Sequence, residues 1–125
     1  MKTLKNILLI NGVSSGVTGI GLILFAGFIA EIFEVSVLEP FWGTGLFLVI
    51  FASMVIYEAL QNPIRRERIR LIISLDVIWV IGSVILVLLN LENISLVGHL
   101  LIVAVAFWVA LMAYLQSRGL KELSY

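Results

Sequence analysis

The chain has no cysteine, a single histidine, two prolines and little charge in its 125 residues. Without cysteine there are no disulfides, no thiolate metal sites and no thiol nucleophile. One histidine cannot complete the three or four Cys, His or carboxylate ligands of a usual zinc site, so no metal and no other cofactor is expected. That histidine, His99, lies at the far end of its apolar segment from the polar positions described below, which leaves the serines without a base at their depth. Gly12 to Gly21 is rich in glycine but sits inside an apolar run, so it is not a phosphate loop. No residue is assigned a catalytic role, and the chain is not expected to be an enzyme. Only 13% of residues are charged, against about 25% in ordinary globular chains. A soluble surface is therefore missing. The net charge is zero, so no global field favours nucleic acid.

Apolar sequence fills the space instead: 62% of residues are hydrophobic and the mean hydropathy is +1.16. Four apolar stretches run over about 6–30, 40–60, 69–90 and 95–117. Each is close to the ~20 residues that carry a helix across ~30 Å of hydrocarbon. Backbone amides need partners in lipid, and the alternating pattern of a membrane barrel is absent, so the expected solution is helical. Lys2 and Lys5 followed by Ile7 to Ile10 resemble the start of a signal peptide, but the apolar run continues well past signal length. The fold expected is all-α, a single transmembrane domain over 1–125 arranged as an integral membrane four-helix bundle.

The connections carry their own signals. Phe28, Ile29, Ile32 and Phe33 share one side of a helix, which suggests a short interfacial stretch across residues 31–39. Pro40 suits the first turn of the second helix, Asn62-Pro63 breaks the second from the third, and Ser95 can cap the fourth. Gly119 is read as its end. The eight Lys and Arg residues fall in three places: Lys2 and Lys5; Arg65, Arg66, Arg68 and Arg70; Arg118 and Lys121. Four spans put these on one side, opposite Glu31, Glu34, Glu39 and Glu92. Basic loops stay in the cytoplasm, so both termini are expected inside, with the arginine cluster against lipid headgroups.

Two features bear on function. Gly12, Gly16 and Gly19 form one small-residue stripe, and Ala106, Ala110 and Ala113 another. Such stripes let helices approach closely in lipid, either within the chain or toward a second copy or another membrane protein. The other feature is a polar layer in the half of the membrane nearest the arginines. Asp76 lies six residues past Arg70, about 9 Å along a regular helix, with Ser83 and Asn90 on the same face. Asn11, Glu58 and Tyr114 approach a similar depth from the other helices. An intramembrane carboxylate costs roughly 2.5–3.5 kcal/mol on insertion scales and should face protein or water. Asp76 either fixes helix register through hydrogen bonds, or lines a cavity for a proton, a cation or a headgroup.

Three segments together carry a resemblance: Asn11-Gly12 with Ser15-Gly16 and Gly19; Asp76 through Trp79 to Gly82-Ser83; and Ala113 through Gln116 to Gly119. Over nearly its whole length the chain resembles a family of small bacterial four-helix integral membrane proteins with no established activity. That resemblance implies architecture and a bacterial origin, and supplies no site residues; with the apolar spans, the expected location is a bacterial inner membrane. Two function classes follow. One is a non-enzymatic membrane component acting through helix contacts or oligomerisation. The other is a proton- or cation-linked small transporter or channel built on the layer around Asp76.

Overall fold

The computed structural model describes residues 2–61, 63–89 and 94–121. Among these residues there are five helices and no strand: α1 (Lys2–Leu24), α2 (Ala26–Phe33), α3 (Glu39–Ala59), α4 (Arg66–Leu89) and α5 (Leu96–Lys121). All but α2 are long and apolar enough to cross a membrane. Large apolar side chains such as Leu88, Leu96 and Phe107 point outward and stay about three-quarters exposed. That is the surface a chain presents to lipid, where leaving such groups outside carries no hydrophobic penalty.

The first apolar run is not one helix to residue 30. It bends at Phe25, whose backbone (φ −116°, ψ 28°) leaves the helical region. The bend turns Ala26 and Ala30, one helical turn apart, into the protein against Phe41, while Phe28 faces out. Phe33 meets Phe41 edge to face at 5.2 Å. Glu34 ends α2 in the left-handed conformation (φ 59°). The Val35 N–H then returns to the Ala30 carbonyl at 3.0 Å, the closure that a C-terminal cap requires.

Ser95 joins this end of α2 to the start of α5. Its N–H donates to the Phe33 carbonyl at 2.9 Å and its hydroxyl to the Ile32 carbonyl at 2.6 Å. The same oxygen accepts the Gly98 N–H at 3.0 Å, so the expected cap of the last helix also satisfies the orphan carbonyls of another. Pro40 falls in the first turn of α3, as its missing N–H favours.

The third long helix starts at Arg66, three residues earlier than the apolar pattern alone indicates, because exposed arginines lengthen a helix without changing its hydropathy run. The last helix passes Gly119 and continues to Lys121. Gly119 is not a stop signal. A Cβ there would lie 3.0–3.1 Å from the Leu4 side chain, so this glycine admits α1.

The packing is uneven. α1 lies along α3 and α4 along α5; α1 also touches α5, whereas α3 and α4 scarcely meet. The main core gathers Leu4 and Leu8 of α1, Val55 and Ala59 of α3, Ile69 and Ile72 of α4, and Leu120 of α5. The α1–α3 seam uses glycine on both sides. A Cβ on Gly19 would stand 2.7 Å from the Gly45 carbonyl oxygen, and one on Gly45 2.6 Å from that of Gly19. A Cβ on Gly12 would instead meet the Ile56 side chain, and one on Gly16 would meet Ala52 at ordinary contact distance. On α5, Ala106 and Ala113 are buried but Ala110 is exposed. The inward line runs instead through Met112, Gln116 and Leu120.

Candidate functional site

Three buried polar side chains from three helices meet at one point. Asn11 of α1 donates from Nδ2 to Asp76 Oδ2 at 3.2 Å and to Gln116 Oε1 at 2.8 Å. Gln116 of α5 donates from Nε2 to the same Asp76 oxygen at 2.9 Å. Ser15 completes the chain by donating to Asn11 Oδ1 at 3.2 Å. Both amides thus donate to one carboxylate oxygen, and neither leaves its own carbonyl oxygen unpaired. Asn11, Asp76 and Gln116 are each at most 3% exposed. Burial of this kind is tolerable only when the polar groups satisfy one another.

The local sequence explains the convergence. Asn11 sits one residue before Gly12, where α1 comes close to α3. Gln116 lies on the inward line of α5, one turn after Met112. Asp76 follows Ile69 and Ile72 on the buried side of α4.

Asp76 also lines a cavity of about 320 Å³ between α1, α3, α4 and α5. Its walls combine aliphatic carbon with four aromatic rings, Phe47 and Phe51 from α3, Trp79 from α4 and Trp108 from α5. Phe47 stacks on Trp79 with centroids 6.3 Å apart and planes 8° apart, across the seam where α3 and α4 otherwise scarcely meet. It stacks on Phe51 at 6.1 Å. The Trp108 indole donates to the Ser14 hydroxyl at 3.2 Å, and Ser14 donates to the Asn11 carbonyl at 3.1 Å. The Trp79 indole nitrogen is buried without a hydrogen-bond partner, so that ring is held by its face and not by its N–H.

The remaining polar positions divide differently. Glu58 is buried but belongs to a separate clasp: Arg65 reaches it with Nε at 3.1 Å and Nη2 at 2.6 Å. Arg65 also lies over the Tyr57 ring at 5.9 Å. Its hydrogen bond to Glu58 holds the guanidinium further above its already high pKa, so the clasp keeps its positive partner at any ordinary pH. Arg65 is therefore not wholly given to the surface. Arg66 is half-buried, and Arg68 and Arg70 are exposed.

Tyr114 does not join the layer. It is exposed, and its hydroxyl accepts from Arg118 at 3.3 Å. Ser83 bonds its own helix, donating to the Trp79 carbonyl at 2.8 Å. Asn90 lies outside the described residues. His99 contacts the Ser95 carbonyl through Nδ1 at 3.0 Å, and its Nε2 is buried without a partner. Among the described residues no cluster of His, Cys, Asp or Glu could hold a metal ion.

Gln116 is the site residue that the sequence pattern alone does not single out. Its signal is nonetheless there: it is the one amide on the apolar face of α5, three residues beyond the buried Ala113.

The chemical character of the site follows from what surrounds Asp76. Two neutral amides donate to it, and among the described residues no cationic side chain forms an ion pair with it. Amide donors soften the cost of a buried carboxylate, but they do not neutralise its charge. A carboxylate so placed is costly within a membrane span unless it faces protein or water. No family model matches the chain, and neither a curated protein nor a solved structure matches it.

Proposed function

We propose that this is a small multi-pass protein of a bacterial inner membrane, a four-helix bundle with both termini cytoplasmic, that binds and moves a proton or cation at Asp76. The observation that carries this reading is a buried carboxylate that lines a cavity, held by the amides of two other helices and lacking a cationic partner among the described residues. Among the described residues no nucleophile–base pair supports an enzymatic role. The sidedness rests on the basic clusters at both ends of the chain and between α3 and α4.

The competing role, a membrane component acting through its helix faces, has less to work with. Gly12, Gly16 and Gly19 are turned toward α3, and Ala106 and Ala113 are buried within the chain. Four helices enclose little space, so a continuous pathway is expected to need a second copy.

Proteoliposomes with a trapped pH indicator test the proposal under an imposed membrane potential. The wild-type protein should move protons or cations, and Asp76→Asn should stop the flux while remaining monodisperse in detergent. Equal flux through the two proteins would end this reading and return the helix-face role to first place.

A further inference from the structure

The cavity beside Asp76 is poorly made for a bare metal cation. Such ions take six or more oxygen ligands when bound by protein in the manner of calcium. Here the carboxylate is joined by few hydroxyls. Three hydroxyls line the cavity, those of Ser14, Ser15 and Thr18, and the other walls are aromatic and aliphatic carbon. A cation that carries its own shell of carbon needs no such cage. Its charge is met by a carboxylate, and its methyl or methylene groups by the faces of aromatic rings. The size is also limiting, because about 320 Å³ lies at the small end of the ~300–1,000 Å³ range of ligand pockets.

We infer that the ligand of this cavity is a small hydrophobic organic cation, a tertiary or quaternary ammonium with one ring or a short apolar body. The inference rests on the proposed role of Asp76 and names what that site would carry. Asp76 supplies the counter-charge, and Phe47, Phe51, Trp79 and Trp108 supply the walls. Asn11 and Gln116 both hold one oxygen of the carboxylate, fixing the side chain's direction. From α1 and α5 the groups bonded to Asp76 are uncharged amides, and α3 offers the cavity Phe47, Leu48 and Phe51. No titratable side chain of those elements lines the cavity to compete for the cation.

The test uses the full chain in lipid nanodiscs, with benzyltrimethylammonium as the probe and neopentylbenzene as its uncharged carbon isostere. Binding is read from tryptophan emission after subtraction of empty nanodiscs. In parallel, 13C-aspartate labelling gives a single side-chain carboxyl signal, because Asp76 is the only aspartate in the sequence. The inference expects saturable binding of the ammonium compound, none of the isostere, and a shift of the Asp76 signal on binding. Asp76→Asn should weaken binding about tenfold or more. Trp79→Leu, which leaves the carboxylate in place, should weaken it about fivefold, the scale of one cation–π contact.

Equal binding of the isostere would overturn the inference, as would undiminished affinity in Asp76→Asn. An Asp76 signal that still titrates with pH but ignores the ammonium compound would overturn the ligand class alone and leave the proton-linked reading standing. A signal that responds to neither would remove both.

Discussion

The two seams that α3 makes with its neighbours are built on opposite principles. Against α1 it is closed by backbone: Gly19 and Gly45 face each other so tightly that neither has room for a methyl group. Against α4 it scarcely packs at all, and the gap is bridged by the Phe47–Trp79 stack over a cavity that Asp76 enters. In lipid, close packing is a main source of helix association because there is no hydrophobic drive between helices. The tight seam is closed by backbone contact, and the loose one leaves the cavity that Asp76 lines.

Substitution can break that contrast, and the largest effect is expected in the tight seam. Gly19→Val or Gly45→Val drives a side chain into a backbone carbonyl, which cannot swing aside. Overpacking of this kind costs about 2–3 kcal/mol, measurable by unfolding in mixed micelles. At Gly21 and Gly82 an added methyl group would meet nothing within 4 Å. Gly21→Ala and Gly82→Ala should therefore cost nothing, and the better helix propensity of alanine should stabilise by about 0.5–1 kcal/mol. If these two destabilise as much as the seam variants, the close approach of Gly19 and Gly45 is not what sets the cost.

Next in size is the polar knot. Asp76→Leu leaves the Asn11 and Gln116 amide donors without their shared acceptor, at a cost of about 1–2 kcal/mol on the scale of intramembrane hydrogen bonds. Asp76→Asn keeps an acceptor oxygen and should cost about half as much or less in the same unfolding assay. The order Leu worse than Asn distinguishes a hydrogen-bonded knot from a merely enclosed charge, since a site dominated by the charge penalty would be stabilised by both. Smallest is Tyr114→Phe. It removes a hydroxyl bonded only to exposed Arg118, and should alter neither stability nor flux beyond error.

Much of the fold was legible because lipid imposes simple rules on sequence. Runs of apolar residues were enough to find the four long helices. The bend at Phe25 was not legible, since apolar residues continue unbroken through it and the reason for it is tertiary: Ala26 and Ala30 need to face Phe41. The polar site was half legible. Asp76 and Asn11 stood out as polar groups deep in apolar helices. Gln116 lies two residues from Arg118 and reads as an interfacial residue until its rotation is known. Tyr114 was the reverse error. Two residues before Gln116, it is turned about 200° around the helix, so the rotation that buries one exposes the other. Ser83 shares a face with Asp76 but lies seven residues, about 10.5 Å, further along, where its own helix satisfies it.

Glu58 shows why burial alone does not mark a site. It is as deeply buried as Asp76, yet Arg65 folds back onto it and completes it. Depth and residue type were visible for both carboxylates in the sequence. The presence of a cationic partner for one and its absence for the other were not.

Whether the site exchanges a proton is read most directly from the side-chain carboxyl signal of Asp76, the sole aspartate, followed by 13C NMR in bilayers as pH is varied. The signal should titrate reversibly in the wild-type protein, and the titration should move when Gln116→Leu removes one of its donors. A signal that stays fixed from acid to alkaline pH would mean that the carboxyl is sealed in one state and exchanges nothing, and the knot would then be a register device only.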